Sequence, residues 1–167
     1  FDAMRKVVEL TAQLCEDHGL SDWRQSAYNV RHLKRLMRAA QNKKRSKGRS
    51  EKRKDKNEAL LVEAHQAYLD VAQRYLSKAQ DTLAQLQARG LSSELAAVRK
   101  LEIEQYMRHA ERQISQTKRR VILGQIIPHA EKVFSIFEPH TEWISKGKAG
   151  VPVELGLKVC ILEDQYR

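Results

Sequence analysis

The last stretch of the chain, VPVELGLKVCILEDQYR at 151–167, limits the fold more than any other. Val153, Leu155, Leu157, Val159 and Ile161 alternate with Glu154, Gly156, Lys158, Cys160 and Leu162. Apolar residues at every second position set one face of an extended strand, about 153–163, against a core. Ahead of it, SKGKAGVP at 145–152 has the glycines and proline of a turn feeding a strand. No other segment shows the same alternation. One strand cannot satisfy its own backbone groups, and even an isolated hairpin is marginal in water. The expectation is a piece of a longer protein, cut inside a sheet. The alternative is a short complete protein whose tail frays or pairs across a dimer.

Everything earlier reads as helix and basic loop. Met4, Val7, Val8, Thr11, Leu14 and Cys15 share one face of a helix over 3–17, with Asp2 as N-cap and Gly19 as stop. Ser21 caps a second helix, 22 to about 41, with the stripe Trp23, Ala27, Val30, Leu33, Met37 and Ala40. A long helix over 58–89 spans about 48 Å at 1.5 Å per residue. Its apolar line is Leu61, Ala64, Tyr68, Val71, Ala72, Tyr75, Ala79, Leu83 and Leu86, and Gly90 ends it. Ser92 caps the next helix, with Leu91 outside as a hydrophobic staple. Ile103, Met107, Ala110, Ile114, Thr117 and Val121 then form a heptad seam. Two long helices joined by so few residues fold back as an antiparallel hairpin. Gly124 and Pro128 end or kink that second arm, and a last helical piece runs over about 128–137. The fold class is thus mainly α: a helical region over 1–137, then a turn and one strand over 138–167.

Lys plus Arg number 31 against 21 Asp plus Glu, a net charge of +10. Such a balance suits a polyanionic partner without naming it. Between Lys43 and Lys56 the charge is +7 with no apolar residue, so about 42–57 reads as a disordered basic loop. Lys43, Lys44 and Arg45 in it, and Arg31, Lys34, Arg35 and Arg38 on the preceding helix, are candidate phosphate contacts to DNA. The alternative is a solvated loop that joins helices. Lys118, Arg119 and Arg120 form a further basic knot.

Two distant cysteines, Cys15 and Cys160, indicate a reducing compartment and no disulfide framework. The histidines show no ligand spacing, so no structural metal is expected. There is no P-loop, GxGxxG or nucleophile elbow. Glu163 and Asp164 read as polar residues closing a strand, since adjacent strand residues point to opposite faces. No run is long enough to span a membrane.

EPHTEWISKGKAGVPVELGLKVCILEDQ, with FDAMRKVVELT and SDWRQS upstream, resembles insertion-sequence transposases of the DDE type. The likeness covers nearly the whole chain and is most specific in the K-G-K-x-G-x-P-V-E-x-G signature. It implies an RNase H-like domain in which three carboxylates hold two Mg²⁺ ions for phosphodiester cutting and joining. By that alignment the first Asp lies upstream of Phe1, and the second Asp and the Glu lie downstream of Arg167. No catalytic or metal-binding residue is then expected here, and this piece alone is expected to be inactive. It is expected to act in the cytoplasm on transposon-end DNA, with Lys146 and Lys148 flanking a glycine turn near the DNA. Two non-enzymatic readings stand beside it: a basic nucleic-acid-binding helical module, and a coiled-coil homo-oligomer.

Overall fold

The apolar spacing read from residues 3–15 becomes helix α1, Asp2–Asp17, with Ala3, Met4, Val7, Val8, Thr11, Leu14 and Cys15 all buried. The computed structural model describes residues 1–45, 51–90, 93–138, 140–146, 150 and 152–157, without the side chains of 44, 45, 51 and 52. It divides into two units, Phe1–Ile127 and Pro128–Arg167. Among the described residues the first unit holds α1, α2 (Ser26–Arg45), α3 (Glu51–Ala88), α4 (Glu94–Thr117) and a π turn over Lys118–Ile122. No helix among them is long and apolar enough to cross a membrane.

Helix α1 touches α2, α3 and α4 alike. It ends in a Schellman motif: Leu20 N–H donates to the Cys15 carbonyl at 2.8 Å and Gly19 N–H to that of Glu16 at 3.1 Å. Gly19 makes this closure at φ +68°, a conformation that costs a residue with a Cβ. Asp2 is the first helical residue, and Phe1 holds the N-cap position. The Phe1 amino group donates to Gln113 Oε1 at 2.8 Å, and Arg99 pairs with Asp17 at 2.8 Å, so α1 and α4 run antiparallel.

The turn after α1 is fastened to α3 through Trp23, which is 2% exposed. Its indole N–H donates to Thr82 Oγ1 at 3.0 Å, and the Thr82 hydroxyl donates to the Lys78 carbonyl at 2.7 Å. The Lys78 ammonium sits 4.6 Å from the Trp23 ring centre and also donates to the Asp22 carbonyl. Farther along, the Tyr75 hydroxyl donates to Asn29 Oδ1 at 3.1 Å, so α2 and α3 are antiparallel too. The α3–α4 pair is the expected hairpin, with Gln80 bonded to Glu111 and Lys100 to Gln87.

Several expectations shift. Most of the basic stretch 42–57 is helix rather than loop: α2 continues to Arg45 and α3 starts at Glu51, leaving 46–50 outside the described residues. Lys, Arg and Glu are good helix formers, and lengthening an existing helix is far cheaper than starting one. Ser93, not Ser92, caps α4, its Oγ accepting from Ala96 N–H at 3.1 Å; Leu91 and Ser92 lie outside the described residues. In the α4 seam Ile103, Met107 and Ala110 are buried while Ile114, Thr117 and Val121 are half-buried. Ala27 faces solvent. The helix expected over 128–137 is a single 3₁₀ turn, His129–Glu131. So short a piece cannot offset its nucleation cost.

The strand expected to stand alone has a partner. In the second unit β2 (Val153–Gly156) pairs antiparallel with β1 (Glu142–Ser145), Trp143 opposite Leu155 and Ile144 opposite Glu154. Residues 158–163 of the expected strand lie outside the described residues. Trp143, Leu155 and Leu157 remain 49%, 55% and 56% exposed, so the strand's apolar face is largely uncovered. Phe134 packs on Trp143 and His129, with ring centres 5.7 and 5.3 Å apart.

Two hydroxyls in the first unit, Thr11 Oγ1 and Tyr68 OH, are buried without a hydrogen-bond partner among the described residues. A buried unpaired hydroxyl forfeits its hydration for nothing in return. Thr11→Val and Tyr68→Phe are therefore expected to raise stability, each by about 1 kcal/mol. Leu14→Ala, at a fully buried site, should lose about 2–5 kcal/mol. Urea unfolding of the three variants checks all three signs.

Candidate nucleic-acid interface

Helix α2 has two faces of opposite character. Leu33 and Ala40 are fully buried, with Val30, Leu36 and Met37 half-buried beside them. The opposite face carries Arg31, Lys34, Arg35 and Arg38, all exposed. These four, with Ala39 and Asn42, line one shallow hollow. From Arg31 to Arg38 the row runs about 10 Å at 1.5 Å per residue, roughly three base steps of a duplex. Lys43 is exposed one turn beyond it.

No carboxylate occurs anywhere between Asp22 and Glu51. None of the four row residues, nor Lys43, makes an ion pair or side-chain hydrogen bond among the described residues. Some basic side chains elsewhere are partnered: Arg5 with Glu9, Arg99 with Asp17, Lys100 with Glu104. Like charges one turn apart, Arg31 with Arg35 and Lys34 with Arg38, repel by a few tenths of a kcal/mol each. The row is thus a local cost to the helix, and its donors point to solvent ready for an anion.

The other candidates fall differently. Lys44 and Arg45 complete α2 in backbone, and their side chains lie outside the described residues, as does Lys148 altogether. Lys146 lies in the second unit, where its ammonium pairs with Glu154 and its N–H donates to the Pro152 carbonyl at 3.0 Å. That charge is engaged in closing the β-hairpin. Of the basic knot, Lys118 and Arg120 are exposed on the π turn, and Arg119 donates to Gln125 Oε1 at 3.2 Å.

Sequence reasoning passed over Tyr28. It stands at the head of the row, 52% exposed, one turn before Arg31 and His32. Its ring centre is 6.0 Å from that of His32, at 39°. The signal was present as Y-x-x-R-H-x-x-R, an aromatic in helical register with the arginines.

Nucleophile and metal chemistry find little footing among the described residues. Burial, reinforced by Asp22, pushes the Cys15 thiol up to about 11, far from a reactive thiolate. No group of three or more His, Cys, Asp or Glu among the described residues is placed to hold a metal ion. Comparison with family models, curated proteins and solved structures returned no match.

Replacing Arg31, Lys34, Arg35 and Arg38 together by Gln is expected to leave stability unchanged or raise it, by at most about 1 kcal/mol. A thermal melt at low ionic strength reads this directly. A marked loss of stability would mean that the row serves the fold.

Proposed function

We propose that this chain is the helical, DNA-contacting part of a DDE-type transposase, with α2 tracking the phosphate backbone. One observation carries the reading: an exposed row of four cations with no partner among the described residues, on a helix without a single carboxylate. Phosphate contact neutralises the like-charge repulsion within α2 and releases condensed counterions. Nothing in that arrangement reads base identity, so binding is general rather than sequence-specific.

In this reading the chain supplies contacts and scaffold, while cutting and joining of insertion-sequence ends belong to carboxylates and Mg²⁺ ions that the resemblance assigns outside it. The uncovered apolar face of the β-hairpin supports the same view, because a hairpin within an RNase H-like sheet would be covered there. The site of action would be the bacterial-type cytoplasm, on nucleoid DNA.

Leu95, Val98 and Leu101 favour a second reading. They recur at one-turn intervals on α4, 64%, 61% and 64% exposed, and would suit association of copies through that helix. Sedimentation showing a monomer at high concentration would remove it.

DNA affinity of the whole chain should fall linearly with salt on a double-logarithmic plot. Changing Arg31, Lys34, Arg35 and Arg38 to Gln should make that slope shallower by about 3–4. An unchanged slope, or binding insensitive to salt, would contradict the assignment to α2.

A further inference from the structure

We infer that Tyr28, backed by His32, is a stacking platform for an unpaired nucleobase, set at the head of the α2 phosphate row. The inference rests on the nucleic-acid reading of that row and goes beyond it by naming single-stranded nucleic acid as a ligand.

Helical geometry places the parts. Tyr28, Arg31, Arg35, Arg38 and Asn42 follow one another at spacings of three and four, so they lie on one side of α2. That side is opposite Leu33 and Ala40, which are buried. Tyr28 is accordingly not a core residue that happens to reach the surface. An aromatic ring half open to water beside several exposed cations offers a flat apolar face next to positive charge. A base has the matching flat face, and its own phosphate falls within reach of Arg31, about 4.5 Å farther along the axis.

His32 supplies the rigidity. It is half-buried, and its ring lies against Tyr28 at 6.0 Å between centres. That contact limits the rotamers of the phenol ring, about half of whose surface stays open to water. Duplex DNA offers no such surface except at its ends, because interior bases are stacked on each other. Single strands combine what both halves of this face accept: backbone charge for the arginines and an open π-face for the tyrosine.

The test uses the full chain at one fixed salt concentration. Fluorescence anisotropy is measured with a labelled single-stranded oligodeoxynucleotide of roughly 20 nucleotides and with a blunt hairpin-closed duplex of similar length. Tyr28→Ala is expected to weaken single-strand binding at least about fivefold while changing duplex binding by less than about twofold. Tyr28→Phe keeps the ring and should keep the single-strand affinity. Matching circular dichroism melts verify that the variants are folded. Unchanged single-strand affinity in Tyr28→Ala, or an equal loss on both probes, overturns the platform and leaves the phosphate row standing. Wild-type binding to neither probe overturns the row and the platform together.

Discussion

The contact on which the structure depends is the burial of one face of α1 against the other three helices. Met4, Val7, Val8 and Leu14 are each fully removed from water, at about 1.5–3 kcal/mol of apolar transfer per side chain. Because α1 touches α2, α3 and α4, it sets the space between the two long hairpins. The Schellman closure at Gly19 then fixes where the chain leaves α1, and Trp23 pins the departing turn onto α3 through Thr82. Burial of Leu33 and Ala40 and the bond from Tyr75 to Asn29 then fix the rotation of α2 about its axis. The rotation determines which side of α2 meets solvent.

The chemistry of the molecule follows from that orientation. A helix whose inward side is Leu33 and Ala40 must turn Arg31, Arg35 and Arg38 outward. Full burial in α3 begins only at Tyr68: no described side chain between 53 and 67 is buried. The start of α3 and the end of α2 are therefore less covered than the opposite end of the pair. Charge without a partner among the described residues, at some local cost to α2, is what an anionic ligand would neutralise.

Much of this was legible in the residues. The i, i+3, i+4 spacing gave α1 nearly to its ends and the buried lengths of α3 and α4, because each buries one stripe against neighbours, but it set the start of α3 seven residues late and carried the α4 seam past Thr117. The stops at Gly19 and Gly90 were readable because each sits at positive φ, +68° and +80°. Charge was the misleading signal. A run without apolar residues reads as loop, yet Lys, Arg and Glu extend helices already nucleated by the stripes on either side. The β1 strand was missed for a different reason. In EWIS, Trp143 and Ile144 are adjacent and point to opposite faces, so no alternation marks it, whereas its partner VELG alternates. The turn chemistry at 145–152 was visible, but it connects two strands where the reading supplied one. The row on α2 is legible from charge alone, whereas Tyr28 stands about four helical turns before the basic run, which itself contains no aromatic residue.

Arginine side-chain resonances report on the central claim most directly. A short DNA duplex titrated into ¹⁵N-labelled chain at low salt should shift the Nε–Hε signals of Arg31, Arg35 and Arg38 together and saturably. The signal of Arg99, held by Asp17, should stay in place. Movement confined to residues of α4 or of the β-hairpin, with the α2 arginines unmoved, would contradict the account.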